Sequence, residues 1–352
     1  MSDISLFDIP DFETQNGIRM PVFLTYKTYG KLSPARDNAI LIPTFYGGRH
    51  TDTEFFFSAE RVINPKKHFV IIPNMIGNGL SISPTNAPEP FKGSEFPLFT
   101  AHDNVSCQKK LITQIFDIEK LLLVTGFSMG AQQAFQWGVD FSDMVGGIVP
   151  ICGSARISKH NKIFLASAIN TLKLDPIFKN GNYLDQPKSG LQAFGYVYSA
   201  WLFSQAFFRE GLYLQLGLKS AQDVVDFTQT YFSANDANNL ISMAQTWMAM
   251  DISDNPKYSK NFENALRDIK CEAIVMPSET DLYFTVPDNE YEVLHMPNAE
   301  LRVIPSKWGH AAGFGLNSAD NNFIDKILKE GAEKADKITS KKVNEMKKIV
   351  GF

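Results

Sequence analysis

Residues 120–137, KLLLVTGFSMGAQQAFQW, carry the most specific structural signal in this chain. The first part of this stretch is a continuous apolar run typical of a buried strand, and the last part has the pattern of a helix. Between them, residues 126–130 read Gly-Phe-Ser-Met-Gly, a GxSxG motif on a tight strand-to-helix turn. Small residues two before and two after Ser128 let such a turn close, and the helix N-terminus behind it favours developing negative charge. The motif therefore predicts that Ser128 is an exposed nucleophile, the alternative being a simple turn residue.

Further apolar runs surround this motif and predict a mostly parallel sheet. Residues 103–116 (DNVSCQKKLITQIF) have one apolar face and fit a crossover helix between two of the strands. Strand, helix and strand in this order form a βαβ unit. With the GxSxG turn, the pattern predicts an α/β protein of the α/β-hydrolase fold. The predicted strands are residues 39–43, 68–73, 120–126, 146–152, 271–276 and 300–304.

More than a hundred residues separate the strand at 146–152 from the next one. Residues 155–265 have a helical pattern rich in Phe, Trp and Met, with breaks at turn-forming residues. We interpret them as a helical lid inserted into a core domain made of residues 1–154 and 266–352. Helices inserted after a strand lie over the carboxyl ends of the strands, where open α/β sheets bind ligands. Most lid aromatics are expected to pack in a core or a subunit contact rather than touch substrate.

A serine hydroxyl needs a base held by a carboxylate, so Asp or Glu and then His should follow Ser128 in the chain. Asp281 in SETDLYF and His310 in KWGHAAGFG each come just after a predicted strand, at the edge that displays Ser128. Glu279 and Asp288 compete with Asp281 as the acid. The other histidines have weaker placement; they are His50, His68, His102, His160 and His295.

The oxyanion of a tetrahedral intermediate needs two preorganised N–H donors. Met129, the residue after the nucleophile, is predicted to supply one from its backbone. The other is expected from TFYGG, residues 44–48, with Tyr46 as the favoured donor and a plain glycine turn as the alternative. Phe45 in the same loop is a candidate substrate contact.

Composition excludes several other functions. The net charge is −4, from 34 basic and 38 acidic residues, so neither nucleic acid nor an anionic membrane is an expected partner. The three cysteines show no metal or disulfide spacing, and no nucleotide-binding motif is present, so no metal and no cofactor are predicted. Without a signal-like start or a long apolar run, the expected address is the cytoplasm. Residues 325–348, rich in Lys, Asp and Glu, are expected to form a solvated helix.

Several stretches together resemble the homoserine O-acetyltransferase family of α/β-hydrolases, over most of the chain. They include NAILIPTFYGG, FVIIPNMIGNG, FPLFTAHDNVSCQKKL, IEKLLLVTGFSMGAQQAFQW, FSANDANNL, SETDLYF and KWGHAAGFG. The resemblance implies a triad of Ser128, Asp281 and His310, oxyanion donors at Tyr46 and Met129, and a helical lid. It also implies an acyl-enzyme, acetyl-CoA as co-substrate if the chain is a transferase, and a homodimer formed through the lid.

Two residues depart from that family. Ala311 stands where members usually carry an Asp after the catalytic His, and Phe203 where the lid usually presents an Arg. Arg209, six residues further on, is a candidate replacement. A site without these charges holds a zwitterion poorly, because an unpaired buried charge costs several kcal/mol. Homoserine is therefore disfavoured as the acceptor.

Three functions are weighed. The first is an esterase, with water as the acceptor and a mostly apolar small-molecule substrate held by lid residues such as Trp201, Phe203, Phe207 and Phe208. The second is an acyl-CoA-dependent O-acyltransferase acting on an alcohol. The third is a binding protein that keeps the fold without catalysis, which is disfavoured because all three triad members are present in order.

Overall fold

The computed structural model describes residues 4–333 and contains an eight-stranded sheet in the order β1-β2-β4-β3-β5-β6-β7-β8. The first two strands pair antiparallel with each other, and β2 also pairs antiparallel with β4. All other pairs are parallel. The strands are β1 (Ser5–Glu13), β2 (Arg19–Tyr29), β3 (Ala39–Leu41), β4 (Phe69–Pro73), β5 (Leu123–Phe127), β6 (Gly147–Ile151), β7 (Glu272–Val275) and β8 (Ala299–Leu301).

Helices cover both faces of the parallel part, which explains why its strands are continuous apolar runs. All five residues of β4 are buried, for example, as are all three of β3. The α-helices are α1 (Ala101–Ile115), α2 (Met129–Asp140), α3 (Lys159–Lys173), α4 (Lys188–Leu202), α5 (Gln205–Arg209), α6 (Ala221–Ser233), α7 (Ala237–Met248), α8 (Phe262–Arg267) and α9 (Val286–His295). The predicted α/β-hydrolase fold is confirmed by this architecture.

All six predicted strands are present, with bounds that differ by up to three residues at either end. The predicted crossover helix starts two residues earlier than expected because Thr100 caps it: the Thr100 hydroxyl accepts from the N–H of Asp103, and the Asp103 side chain accepts from Thr100 N. This reciprocal pair satisfies two of the donors at the start of the helix.

The N-terminal hairpin of β1 and β2 is an addition that the sequence analysis did not predict. Its first strand buries Phe7, Ile9 and Phe12 and leaves the residues between them exposed. The register shifts between Ile9 and Phe12, which interrupts the strict alternation that identifies a strand covered on one face. The hairpin adds two strands to the sheet on the side of β4.

Helices α3 to α8 lie between β6 and β7 in the chain; α3 to α7 fall within the segment predicted as the lid, and α8 extends two residues beyond its predicted end at residue 265. Two hydrogen bonds fix the start of this segment to the core. Ala155 N donates to the Glu292 carboxyl at 2.8 Å, and Asn289 Nδ2 donates to Gly153 O at 2.9 Å. Burial raises the pKa of Glu292 to about 8. The exact boundary at residues 155 and 265 stays a prediction.

The C-terminal helix, residues 318–333, differs from the expectation of a solvated helix. Ile324, Ile327 and Leu328 are buried against the core, and Asp325 pairs with Arg61 at 3.1 Å. This helix is therefore one-sided, with charges outward and aliphatic residues inward. Residues 334–348 of the predicted helix lie outside the described part of the chain.

Two further observations concern residues 4–333 only. None of the helices in this part combines the length and the apolar character that crossing a bilayer would require. Nor does it bring three or more His, Cys, Asp or Glu side chains together in a metal-binding arrangement.

Candidate active site

Ser128 joins the end of β5 to the start of α2 in a backbone conformation that side chains rarely adopt, with φ 57° and ψ −120°. Such strain costs on the order of 1–3 kcal/mol and persists only where the surroundings enforce it. Here Ser128 N donates to Ile151 O on the neighbouring strand, and Ser128 O accepts from Gln132 N in the first turn of the helix. The turn that displays the hydroxyl is thus held from both sides.

Three glycines make this turn sterically feasible. A Cβ on Gly126 would lie 2.6 Å from the carbonyl carbon of Gly130, and one on Gly130 would lie 2.5 Å from Pro43 O. A Cβ on Gly153 would lie 2.9 Å from Ser128 O. Each contact is with backbone, which cannot rotate away. The two glycines of the motif are therefore packing requirements of the turn.

Gly126→Ala is expected to lower the free energy of unfolding by about 1–3 kcal/mol, the usual cost of overpacking. The matched control is Gly138→Ala on α2, where a Cβ would meet only side-chain ends, the nearest at 3.0 Å. At position 138 the higher helix propensity of alanine offsets the crowding, so the free energy of unfolding should change little. Denaturant unfolding followed by circular dichroism measures both variants. Equal effects would show that the turn tolerates a side chain at position 126.

His310 and Asp281 form a buried pair, with His310 Nδ1 and Asp281 Oδ2 2.7 Å apart. The other carboxylate oxygen accepts from the backbone N–H of Tyr283 at 2.7 Å and of Phe284 at 3.2 Å. Such bonds fix the carboxylate and leave the ring's second nitrogen, Nε2, free to face a substrate or nucleophile.

Neither of the two competing acids, Glu279 and Asp288, pairs with His310 Nδ1 as Asp281 does. Glu279 is exposed, and Asp288 accepts from the Thr285 hydroxyl at 2.7 Å on the first turn of α9. The loops that carry Asp281 and His310 are joined through Thr280, whose hydroxyl donates to Ser306 O at 2.8 Å and accepts from Gly309 N at 3.0 Å. This link holds the histidine loop against the acid loop.

The loop after β3, which carries Tyr46, is held against α2 by a buried amide. Gln133 Nε2 donates to Thr44 O at 3.0 Å, and Gln133 Oε1 accepts from Gln108 Nε2 at 2.6 Å. The Tyr46 hydroxyl donates to Leu240 O of α7 at 3.0 Å, so its side chain is anchored in the lid segment. What Tyr46 can offer a reacting oxygen is therefore its backbone N–H. Met129 N lies in the first turn of α2, where N–H groups have no intrahelical acceptor.

A cavity of about 50 Å³ lies between these loops and helices α4 and α6. Ser128 and His310 both line it, as do Phe45 and Tyr46 of the loop after β3. Its apolar lining residues are Phe45, Phe127, Leu202, Phe227, Phe232 and Phe314. Its polar lining residues are Tyr46, Ser128, Tyr198, Thr228, Tyr231 and His310. No Asp, Glu, Lys or Arg from residues 4–333 is among them.

The structure does not bring the other predicted substrate contacts to this cavity; they are Trp201, Phe203, Phe207, Phe208, Arg209 and Ala311. Phe203 is fully buried and stacks on Phe207 with ring centres 4.1 Å apart. Arg209 ends α5 in an exposed position and is not among the residues that line the cavity. Ala311, although next to His310, is buried in the core cluster that includes Phe203.

Residues of α6 line the cavity instead, and the sequence analysis missed them. They are Phe227, Thr228, Tyr231 and Phe232, which repeat at the i, i+1, i+4, i+5 spacing of one helix face. This spacing can be recognised in the sequence, but it does not show whether that face of α6 packs against a core or contacts a ligand.

The remaining histidines lie elsewhere. His102 also pairs with a carboxylate, Asp140, at 2.8 Å, and its other ring nitrogen is 3.4 Å from the hydroxyl of Ser106. Hydrogen bonding to Asp140 raises the pKa of His102. Ser106, however, lies inside α1 and lacks the strained turn of Ser128. Of the six histidines, His310 is the one among the described residues that lines the cavity with Ser128.

The strained serine, the paired histidine and the parallel sheet define the class of protein that the comparisons also identify. The model of the α/β-hydrolase fold family matches residues 40–312, and the chain belongs to this family. It is an enzyme related both to esterases and to homoserine O-acetyltransferases, as the family resemblance predicted.

Individual relatives support the same assignment. An ethyl acetate hydrolase of Pseudomonas veronii is 36% identical over 92% of this chain and 94% of its own length. A homoserine O-acetyltransferase of Deferribacter desulfuricans is 30% identical over 86% of this chain and 88% of its own. Among solved structures, an acetylester hydrolase from Corynebacterium glutamicum superposes with a TM-score of 0.90 at 35% identity, covering 93% of this chain and 95% of that one.

Proposed function

We propose that this enzyme hydrolyses carboxylic esters with a short acyl group through an acyl-enzyme on Ser128. The observation that carries the proposal is the small, mostly aromatic cavity that Ser128 and His310 share. A cavity of about 50 Å³ has room for a group of a few heavy atoms, since a water-sized probe needs about 10–15 Å³. An acetyl group fits that size, whereas a long acyl chain would have to extend out of the cavity through its open side.

In the first half-reaction, Ser128 Oγ attacks the ester carbonyl carbon while His310 Nε2 takes the hydroxyl proton. Asp281 holds the ring in the tautomer that permits this, through the 2.7 Å bond to Nδ1, and stabilises the imidazolium. Backbone N–H groups of Met129 and Tyr46 stabilise the oxyanion. The tetrahedral intermediate then collapses, the C–O bond to the alcohol breaks, and His310 gives its proton to the leaving alkoxide.

In the second half-reaction, water attacks the acyl carbon and transfers its proton to His310. The carboxylic acid leaves, and Ser128 recovers its proton from the imidazolium. Neither step needs a group that these residues do not supply, so the proposal includes no metal and no cofactor.

The alternative acceptor, homoserine, lacks partners in this cavity. Its ammonium and carboxylate groups would each need an opposite charge, and burial of an unpaired charge costs several kcal/mol. The lining contains no side chain from the described residues that is charged in this way, apart from His310 when protonated. This favours water over an amino-acid alcohol, and acyl-CoA as a donor belongs to the alternative only.

The acyl preference is testable with a series of aryl esters. We expect kcat/KM for the acetate to exceed that for the octanoate by on the order of 10-fold or more, because the cavity excludes the added methylenes. With acetyl-CoA and homoserine, little O-acetylhomoserine should form while the aryl acetate is hydrolysed in a parallel assay. Efficient acetylation of homoserine, or equal rates for acetate and octanoate, would contradict the proposal.

The state of assembly and the location are proposals of the same kind. Ile163 on α3, Leu174 next to it and Leu184 in the following loop are exposed, which supports a homodimer formed through the lid. Light scattering of the purified enzyme tests for this dimer.

The location is a separate proposal. Three unpaired cysteines, Cys107, Cys152 and Cys271, support a reducing compartment such as the cytoplasm.

A further inference from the structure

We propose that the Tyr231 hydroxyl donates a hydrogen bond to the carbonyl oxygen of the bound ester, as a third donor beside the backbone N–H groups of Met129 and Tyr46. The inference rests on the proposed esterase function. It adds a residue of the lid segment to the machinery of the site.

Tyr231 stands on α6 and lines the cavity together with Ser128 and His310. It lies over the loop that carries Tyr46: a Cβ on Gly47 would be 3.5 Å from the Tyr231 ring and 3.9 Å from its hydroxyl oxygen. The hydroxyl is therefore on the side of the cavity where the Tyr46 N–H is proposed to meet the oxyanion. Gly47 has φ 70° and no side chain, so no side-chain atom of Gly47 lies between the Tyr231 hydroxyl and the loop.

The Tyr231 hydroxyl oxygen is buried and has no hydrogen-bond partner within residues 4–333. Two other hydroxyls of the lining do have partners. Thr228 donates to Gly195 O at 3.0 Å, or to carbonyls of its own helix, and Tyr46 donates to Leu240 O. A buried donor without a protein partner is costly, and because this one lies in the cavity that Ser128 and His310 line, a bound ester is the acceptor that we propose for it.

The surroundings keep this hydroxyl protonated and oriented. Burial raises the pKa of Tyr231 above its usual range, so the group stays a donor at neutral pH. Its ring meets the ring of Phe232 edge to face, with centres 5.2 Å apart. A donor fixed on a helix in a mostly aromatic cavity needs no reorganisation when charge develops on the carbonyl oxygen.

The test is Tyr231→Phe, which removes the hydroxyl and keeps the ring. Because the hydrogen bond strengthens as the oxyanion forms, we expect kcat for an aryl acetate to fall by on the order of 10-fold or more, with KM nearly unchanged. Affinity for an aryl trifluoromethyl ketone, which forms a tetrahedral adduct with the serine, should fall by a similar factor. The melting temperature should stay the same or rise, because the variant no longer buries an unpaired hydroxyl.

The matched control is Tyr196→Phe, which removes the hydroxyl of an exposed tyrosine on α4 outside the cavity and should leave all three measurements unchanged. Wild-type kcat and wild-type ketone affinity in Tyr231→Phe would overturn the inference while leaving the esterase proposal intact. A lower melting temperature with unchanged kinetics would also overturn it, because it would show a structural role. Absence of ester hydrolysis by the unmodified enzyme would instead overturn the proposed function, and this inference with it.

Discussion

Ser128→Ala is expected to reduce ester hydrolysis by on the order of 10³-fold or more, because the nucleophile and its base act as one unit. His310→Ala should reduce it by a similar factor, and the double variant should be no worse than either single one. Both side chains line the same small cavity, and neither is needed to hold the turn, which the backbone bonds of Ser128 secure. Steady-state hydrolysis of an aryl acetate, with circular dichroism to check folding, measures the effect.

The chain contains a matched control for the nucleophile. Ser106 lies 3.4 Å from His102, which in turn pairs with Asp140, so the same three residue types meet a second time. This second group has no strained turn and lies on helix surfaces away from the cavity. Ser106→Ala should therefore keep wild-type activity and should still be labelled by a fluorophosphonate. Labelling that survives in Ser128→Ala and disappears in Ser106→Ala would reverse the assignment.

Asp281→Asn is expected to reduce kcat by about 10⁴-fold with little change in KM. An asparagine of the same shape can present an N–H to His310 Nδ1, and the ring then carries its proton on Nε2, where it cannot accept one from Ser128. Because the Asp281 side chain is completely buried and lies 2.7 Å from His310 Nδ1, solvent cannot reach the pair and restore the original tautomer.

Glu279→Gln is the control for this substitution. Glu279 is two residues away and exposed, so its amide should leave kcat and KM close to those of the unmodified enzyme. A larger loss in Glu279→Gln than in Asp281→Asn would show that the acid has been assigned to the wrong carboxylate.

The reaction class was predictable because its signals are local. The turn at Ser128 is specified by a strand, two glycines and a helix within a short stretch, and the steric reasons for the glycines act between near neighbours such as Gly126 and Gly130. Asp281 and His310 were found by a topological argument, since carboxyl ends of parallel strands meet at one edge of the sheet. The structure brings these three residues to that edge, and the loss-of-function variants above test their roles.

Substrate contacts were much less predictable. Phe203 was selected by its place in the resembling family, yet its ring stacks in a core cluster, and Leu202 lines the cavity. Arg209 was selected as a nearby cation, yet it is exposed at the end of a short helix. Which face of a lid helix meets the cavity depends on how the helices pack on each other and on the loop after β3, and these contacts join residues far apart in the chain.

Six of the eight strands, the crossover helix, the nucleophile turn and the candidates for acid and base could be predicted from the sequence, because periodicity, glycine sterics and chain order are local or topological properties. The three-dimensional structure was needed to see that Asp281 rather than Glu279 pairs with His310, that no Asp, Glu, Lys or Arg of residues 4–333 lines the cavity, and that α6 and α4 form part of its wall. The physical reason is that burial, cavity volume and hydrogen-bond pairing arise from contacts between distant segments. Tyr231 and Gly47 are a clear case, since they are adjacent in space and come from opposite sides of the nucleophile in the chain.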